Sequence, residues 1–115
     1  MGVKISEEFM DNGVLKIALG GSLDAPGAMG IEGQFQNRLN EEGGSVIVDL
    51  SGLEYISSYG LRMLLMGAKG LHDRGGGLHI AAPVANVMEV IKVAGYDSMF
   101  PVYDTVDEAV RAVAK

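Results

Sequence analysis

The chain has 115 residues, of which 48% are hydrophobic, with 15 acidic against 9 basic side chains and a net charge of −6; this suits a single domain, residues 1–115, with a core of its own. The acidity argues against nonspecific binding to nucleic acid or anionic membranes, and the absence of cysteine excludes disulfides, thiol chemistry and cysteine metal sites. No run approaches the ~18–20 apolar residues of a membrane span, and the opening MGVKISEEFMDNG lacks the apolar core of a signal peptide, so a cytoplasmic protein without membrane insertion is expected.

Val3 to Met10 alternates loosely between apolar and polar, and Val14 to Leu19 follows the turn signal Asp11-Asn12-Gly13, which predicts an antiparallel hairpin. Gly20 to Asp24 is expected to leave the second strand as a loop. Asp24, with Pro26 just behind it, reads as the N-cap of a helix carrying proline in its first turn. That helix, Gly27 to Glu42, has a weak apolar stripe of Met29, Phe35 and Leu39. Gly27, Gly30 and Gly33 each weaken it by about 1 kcal/mol relative to alanine, so a loose first helix is expected. Their spacing is wrong for a phosphate-cradling GxGxxG loop. Glu41 to Gly44 ends the segment.

Val46, Ile47, Val48 and Leu50, broken only by Asp49, are rich in β-branched residues and predict a strand buried on both faces with parallel neighbours. Ser51-Gly52 is a turn signal, and Leu53 to Ile56 then reads as a short apolar connection. Ser57 and Ser58 follow, and either can cap the next helix by accepting from an unpaired backbone N–H. Leu61, Leu64, Leu65 and Ala68, continued by Leu71 or His72, recur at helical spacing. Met63 and Met66 read as core filling by preference; on the surface they would form an adaptable contact patch with Tyr59, Arg62 and Lys69. The helix ends at Arg74-Gly75-Gly76-Gly77, whose glycines precede a strand and form a flexible turn.

Leu78 to Ala82 is the next strand, stopped by Pro83. A helix beginning near Asn86 carries Val87, Val90, Ile91 and Ala94 and closes at Gly95. Met99 to Val102, with Pro101, reads as an edge strand, and Asp104 or Thr105 caps a last helix with Val106, Ala109, Val110 and Val113. The expected fold is α/β: a small mixed sheet of four to five strands, with the hairpin first and parallel strands after it, and about four helices.

A hydroxyl at the start of a helix is either a cap or a phosphoacceptor, since a phosphate there meets free N–H groups and the positive end of the dipole. Position alone leaves both open. The run DLSGLEYISSYGLRMLL resembles the signature of the STAS domain family, and particularly of bacterial anti-sigma factor antagonists. Gly21-Ser22-Leu23-Asp24-Ala25 is similar to that family's Gly-x-Leu-Asp loop, and Gly77 to Pro83 to its later strand. Aligned on Gly60-Leu61, the family's phosphorylated serine falls on Ser58, its preceding aspartate on Ser57 and its following small residue on Tyr59. The resemblance implies a partner surface of Asp24, Ser57, Ser58, Tyr59, Gly60 and Arg62. It also implies a partner, an anti-sigma factor serine kinase of the GHKL type, and a serine phosphatase that resets the switch. No cofactor is implied.

The residues themselves favour binding over catalysis. The only histidines are His72 and His79. His72 lies ~20 Å along the same helix from Ser58 at 1.5 Å per residue, and His79 follows the glycine turn at the opposite end. A G-x-S-x-G elbow is absent. The alternative to a phosphorylated antagonist is a STAS module whose serine stays unmodified, serving as an interaction, small-ligand or lipid-transport subunit.

Overall fold

The computed structural model describes residues 2–113. The strands are β1 (Val3–Phe9), β2 (Leu15–Leu23), β3 (Ser45–Ile56), β4 (Gly77–Ala81) and β5 (Val102–Tyr103); the helices are α1 (Ala25–Glu42), α2 (Ser58–Asp73), α3 (Ala85–Val93) and α4 (Val106–Val113). The sheet runs in the order β1-β2-β3-β4-β5, antiparallel between β1 and β2 and parallel thereafter. This is the mixed sheet with a leading hairpin and four helices that the sequence pattern predicts.

The central strand β3 buries Val46, Ile47, Val48 and Leu50 completely. Val46, Val48 and Leu50 face the main core beneath α1, α2 and α3, whereas Ile47 packs with Ala81 and Ala109 under α4. Asp49 is also buried; its carboxylate accepts the Ser51 N–H at 2.9 Å and lies 3.8 Å from the Lys16 ammonium.

Two expected loops are strand instead. Ser51-Gly52 makes no turn: β3 runs on to Ile56, and β2 continues through Gly20-Gly21 to Leu23. The two strands stay paired because register shifts between Ala18 and Gly20 and between Gly21 and Ser22 absorb the irregularity, with Gly21 at φ 86°. Glycines that look like loop signals are here the residues that let two long strands bend together.

The first helix runs unbroken for 18 residues between an Asp24 cap and a left-handed Gly43. Its buried stripe is Ala28, Ile31, Phe35 and Leu39; Met29, expected inside, is 59% exposed. On α2 the buried residues include Leu61, Met63, Leu64, Ala68 and Leu71, while Leu65 is half-buried, and His72 and Met66 are exposed. Gly67 lets α1 approach, since a Cβ there would lie 2.7 Å from the Leu39 side chain.

At the C-terminal end of α2, Gly76 is held rather than free. A side chain on it would collide with the Gly44 carbonyl, so this turn is a close crossing of two backbones. β4 stops at Ala81, because Ala82 turns out of the strand at φ 58°. Ala94 is exposed, not part of the buried stripe, which on α3 is Val87 and Ile91. The last strand is shorter and later than expected: a 3-10 turn at Tyr96–Ser98 occupies the approach, and only Val102 and Tyr103 pair with β4. Thr105 caps α4, accepting the Glu108 N–H at 3.1 Å.

Candidate functional site

At the C-terminal end of the parallel strands, Leu23 at the end of β2 pairs with Ile56 at the end of β3. A helix begins directly after each of them, so the N-termini of α1 and α2 both start from this end of the sheet. Asp24 caps α1: its Oδ1 accepts the Gly27 N–H at 2.7 Å. Ser57 caps α2, accepting the Gly60 N–H at 3.1 Å. It is also tied to β2, because both its hydroxyl and its backbone N–H donate to the Leu23 carbonyl, at 3.0 and 2.9 Å.

The two adjacent serines therefore have different environments. Ser57 is half-buried and its hydroxyl is engaged in two hydrogen bonds. Ser58, the first residue of α2, is exposed, and its hydroxyl has no hydrogen bond among the described residues. Ser57→Ala is expected to cost about 0.5–2 kcal/mol, the range for losing an N-cap, as a lower urea midpoint at constant slope.

Gly60 is buried, and a Cβ on it would lie 2.9 Å from the Leu23 side chain and 3.0 Å from the Leu23 carbonyl oxygen. Only glycine lets the first turn of α2 sit this close to the end of β2. Tyr59 reaches the other way, donating from its hydroxyl to Glu32 Oε1 at 2.8 Å on α1. That bond, with burial and the Glu32 charge, raises the phenol above its usual range, partly offset by Arg62. Arg62 is exposed one helical turn beyond Ser58.

Of the six site residues expected from sequence, Ser57, Ser58, Tyr59 and Gly60 occupy consecutive positions at the start of α2, and Asp24 and Arg62 border them. Sequence reasoning missed the opposite wall. A groove of about 510 Å3 lies between the start of α2 and α3, lined by Ser58, Leu61, Asn86, Glu89, Val90, Val93 and Ala94. Val93 is 82% exposed. Asn86 links this wall to the sheet, donating to the Glu54 carbonyl at 2.7 Å. The available signal was Val93, an apolar residue off the stripe at the end of a short helix.

The histidines lie elsewhere. His72 is in the last turn of α2, exposed, and His79 pairs in register with Ile47 near the beginning of β3. His79 is half-buried, its Nδ1 is 3.0 Å from the Tyr103 hydroxyl, and its ring stacks on Tyr103. Burial lowers its pKa below the ordinary 6.5. As the pH falls through about 6.5 the unfolded chain takes up a proton that the folded chain still refuses, so this contribution to stability is lost on acidification. Thermal melts from pH 7 to pH 5 are expected to fall less steeply for His79→Gln than for the parent.

The family model described as "Mlab, STAS domain" matches residues 8–102. The chain belongs to the STAS domain family. Among its relatives, a Bordetella bronchiseptica protein provisionally named anti-sigma factor antagonist BtrV is 32% identical over 110 residues, covering 96% of this chain and 94% of that protein. The crystal structure of an anti-sigma factor antagonist from Mycobacterium paratuberculosis superposes with a TM-score of 0.88 at 25% identity, over 99% of this STAS domain and 96% of that chain. The Bacillus cell fate determinant SpoIIAA in its phosphorylated form shares the fold, with a TM-score of 0.71 at 19% identity over 96% and 99% of the two chains. In this STAS domain the fold places a free hydroxyl, two helix N-termini and an apolar groove at one end of the sheet.

Proposed function

We propose that this STAS domain is an anti-sigma factor antagonist: unphosphorylated, it binds an anti-sigma factor serine kinase of the GHKL type and frees the sigma factor. Phosphorylation of Ser58 ends the complex and a serine phosphatase restores it. The observation that carries this reading is the division of labour between the two serines. Ser57 does the structural work of capping, so Ser58 is exposed and uncommitted at the first position of α2.

The names of the relatives support the antagonist role, and SpoIIAA, which has the same fold, is itself known in a phosphorylated form. The surroundings of Ser58 suit both states. Free N–H groups at the helix start and the helix dipole stabilise a phosphate there without loss of fold. The bordering groove, with Leu61, Val90 and Val93, offers apolar surface for a protein partner. Asp24, Tyr59, Gly60 and Arg62 are proposed to complete the partner surface around Ser57 and Ser58. Binding rather than catalysis is the proposed role, carried out in the cytoplasm.

Intact-mass measurement after incubation with ATP and the candidate kinase tests the reading, with peptide mapping to locate the phosphate. A single addition on Ser58 is expected; phosphate on Ser57 would overturn the assignment. A second reading, an interaction subunit in which Ser58 remains unmodified, is kept in view by the family model's description, which names Mlab. Stable partner binding in ATP with no mass change would favour it.

A further inference from the structure

A second cleft, about 620 Å3 in volume, lies towards the other end of α2 from Ser58, between the last turns of that helix and the segment Met99 to Pro101. Leu65, Ala68, Leu78 and Phe100 form its apolar walls, and Lys69 and Asp73 stand exposed at its mouth. The volume is that of small-molecule sites, about 300–1,000 Å3.

The cleft also contains an unfinished sheet edge. Ile80 and Ala82 donate their N–H groups to the Pro101 and Tyr103 carbonyls, each at 2.9 Å. Backbone groups on one side of a strand recur every second residue, so the N–H and C=O of Leu78 face the same way. Continuing the ladder would require the Met99 carbonyl to accept from Leu78 and the residue at position 101 to donate to it. Position 101 is proline and has no N–H, and β5 begins only at Val102. No such bond to Leu78 forms among the described residues. Leu78 lines the cleft, so its backbone groups without a partner on the β5 side border that space rather than a paired strand.

The geometry limits what can fill this space. An added peptide strand is excluded, because β5 closes the slot where Val102 pairs with Ile80; a compact molecule fits. The Leu78 N–H supplies a donor inside, and the Lys69 ammonium supplies a positive charge at the mouth. Lys69 forms no ion pair among the described residues, although Asp73 shares the opening one turn further on. We infer that this cleft binds a small amphiphilic carboxylate, with its head between the Leu78 N–H and Lys69 and its tail against Leu65, Ala68 and Phe100. The inference is independent of the Ser58 reading, because it concerns the opposite end of the helix.

The test is a titration of the isotopically labelled protein with octanoate, followed by amide NMR, with octylamine as the control of opposite charge. A saturable downfield shift of the Leu78 amide is expected with octanoate and not with octylamine. Lys69→Gln, an exposed substitution that leaves the core intact, is expected to weaken octanoate by about tenfold. Ser58→Asp is expected to leave it unchanged. Equal responses to the amine, unaltered affinity in Lys69→Gln, no saturable shift, or shifts centred on Val93 and Ala94 would each overturn the assignment.

Discussion

Ser58→Asp is expected to weaken binding of the anti-sigma partner by about 100-fold or more while leaving the urea midpoint of the free domain nearly unchanged. A charge placed in a protein interface without a counter-charge costs several kcal/mol, and each 1.4 kcal/mol is a factor of ten in affinity. The same charge in the free protein sits in water at the first position of α2, where the dipole favours it by about 0.3–1 kcal/mol. The two effects therefore separate: binding falls and folding does not. Ser58→Ala is expected to bind as the parent does and to become insensitive to ATP and kinase. Calorimetric titration against the purified anti-sigma factor, paired with denaturant curves for each variant, measures both quantities. Wild-type affinity in Ser58→Asp would show that the exposed hydroxyl is not the switch, however well it is placed.

The separation depends on which serine holds the helix, and sequence could not decide that from spacing. Ser57 and Ser58 are chemically identical and adjacent, and either could serve as N-cap. Alignment on Gly60-Leu61 chose Ser58 as acceptor by resemblance; the hydrogen bonds of Ser57 to Leu23 and Gly60 supply a physical reason for the difference. The bond to Leu23 joins residues 34 apart in the chain, so no local pattern could reveal it. Asp24 was legible as a cap because Asp followed by Pro is a local signal, whereas the groove wall formed by Asn86 and Val93 depends on how α3 docks beside α2.

The fold departs from the sequence pattern for two physical reasons. Gly20-Gly21 and Ser51-Gly52 look like breaks when each stretch is read alone, yet paired side by side they carry β2 and β3 through their register shifts. Met29 and Ala94 fit apolar periodicity but fall on the outer faces of their helices, because short stripes with few members tolerate more than one phase. The long signals were robust: β3 from Val46 to Leu50 is buried, and of the α2 stripe Leu61, Leu64, Ala68 and Leu71 are buried while Leu65 is half-buried. Proline at position 101 marked an edge correctly, but the strand it borders starts after it rather than containing it.

Phe35→Ala in α1 is expected to remove about 3–5 kcal/mol of stability, and Leu64→Ala in α2 about 2–5 kcal/mol, the ranges for emptying fully buried aromatic and aliphatic sites. Both side chains are 0% exposed in the same core, beneath the sheet face that β3 dominates. Leu65→Ala should cost distinctly less than Leu64→Ala, since Leu65 is half-buried at the edge of the second cleft and leaves a space that water can enter. Small domains have only about 5–15 kcal/mol in total, so Phe35→Ala removes a large fraction of it. Phe35 is the sharper probe because it sits at the α1–α2 contact: a Cβ on Gly67 would lie 3.2 Å from its ring. Emptying that contact loosens α2 on the side away from its capped N-terminus. The Ser57 bonds to Leu23 still hold the start of the helix. Phe35→Ala protein that remains folded at low temperature should therefore keep partner affinity within a few-fold of the parent while melting well below it. Urea midpoints at constant slope measure the first effect and calorimetric titration the second; equal midpoints for Phe35→Ala and the parent would show that α1 does not seat the serine-bearing helix as the packing requires.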